Sequence, residues 1–85
     1  MTPLQQTLAK ITTEVHNSST IKSPADLDRK FAEIGIDSLD AMSVMLEAME
    51  RFDIQIPNDD VNKLTTLNEL ARFVEAELAR LGRTV

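Results

Sequence analysis

Leu4, Leu8, Ile11 and Val15 recur at i, i+4, i+7 and i+11, one face of an α-helix. Thr2 stands at the N-cap position, Pro3 at the first helical position, and Gln5 completes a capping box. The pattern predicts a helix ending near His16. Asn-Ser-Ser-Thr at 17–20 and Ser23-Pro24 then break the periodicity. Residues 17–37 read as a long connection with a helical turn around Pro24–Phe31, and loops of such length in a compact domain usually have a task.

Asp37 is placed to cap a second helix over Ser38–Phe52. Asp53-Ile54-Gln55-Ile56-Pro57 ends it, because a residue before proline is steered away from helical backbone. Asn58 is expected to cap a short turn through Lys63. Thr66-Leu67-Asn68-Glu69 is another capping box, and Leu67, Leu70, Ala71, Val74, Leu78 and Leu81 form the apolar face of a last helix. Gly82 suits its C-terminal stop. No strand pair emerges. The expected fold is all-α, a four-helix bundle of three longer helices and one short helix, with a long loop after the first helix.

The 38–52 helix carries more apolar surface than one core needs. Ala41, Val44, Met45, Ala48 and Phe52 form one stripe, and Leu39, Met42, Leu46 and Met49 form a second. Together they cover roughly 220°, whereas a core-facing stripe needs only about 100°. Two readings follow: a central helix buried on both sides, or a second stripe left as a docking surface. In so short a chain few elements can cover both sides, and methionines suit an adaptable partner surface.

Composition narrows the class. Eighty-five residues make a single domain with a small core, expected to be monomeric. Three Phe are the only aromatics, so the core must be built from Leu, Ile, Val and Met. With no Cys there is neither a disulfide framework nor a thiolate metal site. The N-terminus lacks the pattern of a signal peptide and no apolar run is long enough to span a bilayer, so a cytoplasmic location is expected.

Charge is segregated. Residues 37–60 hold Asp37, Asp40, Glu47, Glu50, Asp53, Asp59 and Asp60 against Arg51 alone, while the rest of the chain is nearly balanced. Nucleic acid is excluded as a partner by sign, and a basic protein patch is the natural complement. Asp59-Asp60 reads as favourable charge at a helix start rather than a metal pair, and no metal site is expected. His16 reads as an exposed residue suited to the negative end of its helix.

Ser38 has no candidate base in sequence to activate it, and no nucleophile–base pair or metal cluster can be assembled, so the chain does not read as an enzyme. Phe31-Ala32-Glu33-Ile34-Gly35-Ile36-Asp37-Ser38-Leu39-Asp40 resembles the signature of acyl carrier proteins. The likeness continues through Glu50-Arg51-Phe52-Asp53-Ile54-Gln55-Ile56-Pro57-Asn58-Asp59-Asp60 and Lys63-Leu64-Thr65-Thr66-Leu67, covering about residues 31–75.

The resemblance implies a single acyl carrier domain over 1–85. It implies that Ser38, flanked by Asp37 and Leu39, accepts 4′-phosphopantetheine from coenzyme A through a separate phosphopantetheinyl transferase. Acyl groups would then ride as thioesters on the arm, in fatty-acid, dedicated lipid or polyketide biosynthesis. Met45, Phe52, Ile56, Val61 and Leu64 match positions that line the acyl pocket in relatives. Leu39, Met42, Leu46 and Met49 would dock acyl-transfer and chain-extension enzymes, rimmed by Asp40, Glu47 and Glu50.

The sequence departs from the family pattern in places. Glu33 and Ile34 are mild changes. Ser43 and Met49 stand where acidic residues are common, and Arg51 adds a positive charge in reach of Glu47. A peptidyl or D-alanyl carrier is the alternative within carriers, although the Gly-Gly preceding Asp-Ser-Leu in peptidyl carriers is missing here. An unmodified helical interaction module is the alternative from another class.

Overall fold

The structure, a computed structural model, describes residues 1–16 and 21–83. Four α-helices follow the sequence pattern closely: α1 (Pro3–His16), α2 (Ser38–Phe52), α3 (Asn58–Val61) and α4 (Leu67–Arg80). The expected break at 17–20 lies outside the described residues. Beyond it, the connection contains two 3-10 turns, Pro24–Asp28 and Phe31–Ile34.

Local side chains start the helices where the sequence puts caps. Thr2 Oγ1 accepts the Gln5 N–H at 3.1 Å, and Gln5 Oε1 accepts the Thr2 N–H at 2.8 Å. Asp37 Oδ1 accepts the Asp40 N–H at 2.8 Å, and Thr66 Oγ1 accepts the Glu69 N–H at 3.0 Å. Each bond satisfies a backbone donor that has no intrahelical partner. The last box is shifted by one residue: Glu69 reaches the N–H and hydroxyl of Thr65 rather than the N–H of Thr66. That arrangement holds the Glu69 carboxyl below its usual range, with the Thr65 hydroxyl as the leading cause.

α3 differs from expectation. Pro57 occupies the cap position, Asn58 is the first helical residue, and no side chain caps the turn. Pro57 itself sets the entry with φ −59°.

Helix ends are equally local. After α4, Gly82 takes φ +69°; its N–H bonds the Ala79 carbonyl and the Arg83 N–H bonds the Leu78 carbonyl at 2.7 Å. This pair of bonds is a Schellman stop. After α2, Asp53 adopts φ 52°, and the Ile54 N–H returns to the Met49 carbonyl at 3.1 Å.

One apolar core joins the elements. Leu4, Leu8 and Ile11 of α1 meet Val44, Met45 and Ala48 of α2 and Leu70, Ala71, Val74 and Leu78 of α4, all buried. The 3-10 turns contribute Leu27, Phe31 and Ile34, and the segment after α2 contributes Ile54 and Ile56. An isolated antiparallel bridge between Lys30 and Thr66, with the Phe31 N–H on the Thr65 carbonyl at 3.0 Å, pins the connection to the start of α4.

Candidate functional site

Gly35 sets the site up. Its φ of +83° closes the 3-10 turn before α2, with the Ile36 N–H bonded to the Phe31 carbonyl at 2.9 Å. The turn buries Ile36 and leaves the next residues, Asp37 and Ser38, exposed at the head of α2. Asp37 spends its carboxylate on the Asp40 N–H. Among the described residues, the N–H groups of Ser38 and Leu39 take no hydrogen bond, so they remain free donors at the positive end of the helix.

Beside Ser38 lies an open cavity of about 390 Å³. α2 supplies Ser38, Ala41, Met42 and Met45 to its wall, and Phe31 and Ile36 come from the turn before it. Val61 and Leu64 also line it, with Lys30, Asp37, Asn62 and Thr65 as the polar lining beside Ser38. The cavity is thus largely apolar, with the hydroxyl residues Ser38 and Thr65 among those that line it.

Of the residues expected to line a pocket, Met45, Val61 and Leu64 do so; Phe52 and Ile56 do not. Phe52 lies 14 residues beyond Ser38, about 21 Å along the helix at 1.5 Å per residue. It packs half-buried against the core, and Ile56 is inside that core. Phe31, Ile36, Ala41 and Met42 were missed. Helical spacing from Ser38 marks Ala41 and Met42 as its neighbours, but Phe31 and Ile36 join them only through the Gly35 turn.

On the second stripe of α2, Leu39, Met42 and Leu46 are exposed at 79%, 43% and 53%. Met49 departs from that stripe: it is half-buried against the core, and its Sδ accepts the Ile56 N–H at 3.4 Å. The left-handed turn at Asp53 brings residues 54–56 back across the helix, and a long unbranched side chain can bend to meet them. Glu47 and Glu50 are exposed, and Ser43 is half-buried.

Two charge expectations also change. His16 is half-buried rather than exposed, and its Nδ1 lies 2.7 Å from Asp40 Oδ2. Arg51 turns to Glu14 of α1 at 3.9 Å instead of to Glu47. Asp59 and Asp60 fall in the first turn of α3. Among the described residues, no cluster of three or more His, Asp or Glu side chains is placed to hold a metal ion, and no helix is long and apolar enough to cross a membrane.

An exposed serine at a helix head, free backbone donors beside it and an apolar cavity at its flank suit a carrier domain, one that holds a group for other proteins to act on. The phosphopantetheine attachment-site family model matches residues 4–74. The chain is 32% identical over 77 residues to an acyl carrier protein of Tropheryma whipplei (strain Twist), covering 88% of this chain and 94% of that protein. It is 31% identical over 80 residues to acyl carrier protein SF2, chloroplastic, of Brassica campestris, covering 92% of this chain and 59% of the relative. A Sulfurovum acyl carrier protein is 39% identical over 49 residues, 56% of this chain and 65% of the relative. The chain therefore spans less than two thirds of the length of some relatives that it matches.

The chain belongs to the acyl carrier protein family, whose matched domain is the attachment site for phosphopantetheine. Its members carry groups and have no catalytic activity of their own. The residues present fit such a group: the hydroxyl is exposed, the free N–H donors suit a phosphodiester, and the cavity suits an apolar chain.

Proposed function

We propose that Ser38 is the attachment residue, and that the chain carries acyl intermediates for biosynthetic enzymes as a monomeric carrier domain in the cytoplasm. The observation that carries this reading is the exposed Ser38 hydroxyl at the head of α2, on the wall of an apolar cavity. In loading, Ser38 Oγ forms a bond to phosphorus as the pyrophosphate of coenzyme A breaks and the nucleotide half leaves. The serine proton goes to a base on the transferase, since Asp37 is committed to its cap. When bound, the arm supplies a thiol that holds acyl groups as thioesters, chemistry this cysteine-free chain lacks. The free N–H groups of Ser38 and Leu39 would hold the phosphodiester, and the cavity would shield the acyl chain from water.

Leu39, Met42 and Leu46 form the docking surface for the transferase and for acyl-transfer and chain-extension enzymes, with Glu47 and Glu50 steering basic patches toward it. Asp40 is held in place at this rim by its contact with His16. A reading as a dedicated carrier, for a specialised lipid or polyketide, is favoured over a general fatty-acid role by Ser43, which stands where an acidic residue is common in the family.

The deciding experiment is the intact mass after incubation with coenzyme A and a broad-specificity transferase. The native chain is expected to gain one phosphopantetheine, and Ser38→Ala none while keeping its helical spectrum. A modified Ser38→Ala protein would place the arm elsewhere, and an unmodified native chain would leave a plain helical interaction module.

A further inference from the structure

The cavity beside Ser38 stops short along α2, and the last residue of that helix to line it is Met45. Its α2 wall consists of Ser38, Ala41, Met42 and Met45, successive positions on one face. From Ser38 to Met45 the helix rises only about 10 Å. The next residues on that face, Ala48 and Met49, do not line the cavity. Ala48 is fully buried in the core, and Met49 is bent toward the segment that follows α2.

That bend is held by one side-chain contact, and the backbone from which it springs is fixed as well. The Met49 carbonyl accepts the N–H groups of Asp53 and Ile54, and the Met49 sulfur accepts the N–H of Ile56 at 3.4 Å. Ile56 is buried, so swinging the thioether away would leave a backbone donor without a partner inside the protein. Met45, itself buried, stands one turn before Met49 on α2, so its neighbour on that side is a side chain held in place.

We infer that Met45, backed by the Met49–Ile56 contact, sets a depth limit on this carrier, which selects acyl groups of medium length, about ten carbons. The length follows from volume. A cavity of about 150 Å³ holds a six-carbon ring, so one of about 390 Å³ holds on the order of fifteen heavy atoms. A thioester and the adjoining end of the arm take about five of these. The remainder is the acyl chain, and longer chains must leave their ends in water or break the Met49 contact.

The inference rests on the proposed role of the cavity in carrying acyl groups, but its test need not use Ser38. S-acyl-N-acetylcysteamine thioesters of increasing length are titrated into the unmodified protein, and the Met42, Met45 and Met49 methyl resonances report binding. Each added methylene is expected to tighten binding by about two- to fourfold until the chain reaches about ten carbons, after which affinity levels off. Met45→Ala and Met49→Ala should each move the plateau to longer chains. Met49→Leu, which keeps the bulk but loses the sulfur acceptor, separates the hydrogen bond from simple filling: a shifted plateau assigns the limit to the contact.

Affinity that climbs steadily to sixteen carbons, or a plateau unmoved by either alanine variant, overturns the depth limit. So does an absence of binding at every length. Loading of Ser38 is scored separately by mass, so a failed loading reaction alongside a length plateau would defeat the attachment reading and leave the depth limit standing.

Discussion

Gly35 and Gly82 take the same left-handed conformation for different ends. A Cβ at either position would meet no atom within 4 Å, so substitution is opposed by backbone strain alone. Gly35→Ala and Gly82→Ala are each expected to lower unfolding free energy by about 1–2 kcal/mol, measured by urea denaturation. Only Gly35→Ala should also slow loading at Ser38, because only that turn aims Asp37 and Ser38. Equal loading rates in the two variants would show that the Gly35 turn serves stability and not the site. Asp37→Ala removes the α2 cap, with an expected cost of about 1 kcal/mol.

Helix α4 begins with a titratable cap. Glu69 accepts hydrogen bonds from the Thr65 hydroxyl and N–H, which lower its pKa in the folded state. A carboxyl depressed by folding contributes stability that is present above its unfolded pKa and is lost as pH falls through the lower, folded value. Glu69→Gln is therefore expected to be less stable than the native chain at pH 7, by about 1 kcal/mol at most, with the gap closing under acid. Melting curves across that range check the sign.

On α2 the proposed docking face makes a kinetic distinction. Met42→Ala should raise the dissociation rate of a partner enzyme, because exposed apolar anchors are what a partner buries. Glu47→Lys should cut the association rate, more at low salt than at high. Ser43→Glu tests pathway: if the face is tuned to a dedicated partner, this change should improve turnover by general fatty-acid synthase enzymes. No gain, with native turnover already equal to that of a general carrier, would argue for the general role.

At the scale of the molecule, the acyl cargo is expected to act as part of the core. Each fully buried methylene is worth about 0.8 kcal/mol, and in a domain of this size a gain of 1 kcal/mol raises Tm by roughly 4–8 °C. The acylated protein should thus melt above the protein bearing the bare arm. Identical melting temperatures would mean that the chain stays in solvent. α1 joins this unit through the buried Leu8 and Ile11 and through the His16–Asp40 contact, which ties the end of one helix to the first turn of α2.

Helix limits were legible in the sequence because their causes are local. Thr2 with Gln5, Asp37 with Asp40, Thr66 with Glu69, and Gly82 after α4 each act within a few residues, and the bonds form where the pattern placed them. Ser38 at the head of α2 followed from the same local logic. Tertiary structure alone decided which apolar side chains of α2 stay uncovered. Met42 and Met49 are alike in residue type and in stripe, yet the Asp53 turn covers one with Ile56 and leaves the other in solvent. The cavity wall was equally hidden, since Phe31 and Ile36 meet Val61 and Leu64 only once the chain has folded. Arg51 had Glu47 one turn away but pairs with Glu14, a choice made when α1 packs against α2. Periodicity and capping express bonds between near neighbours; burial and pairing across helices depend on which elements meet, and no short stretch of sequence contains that.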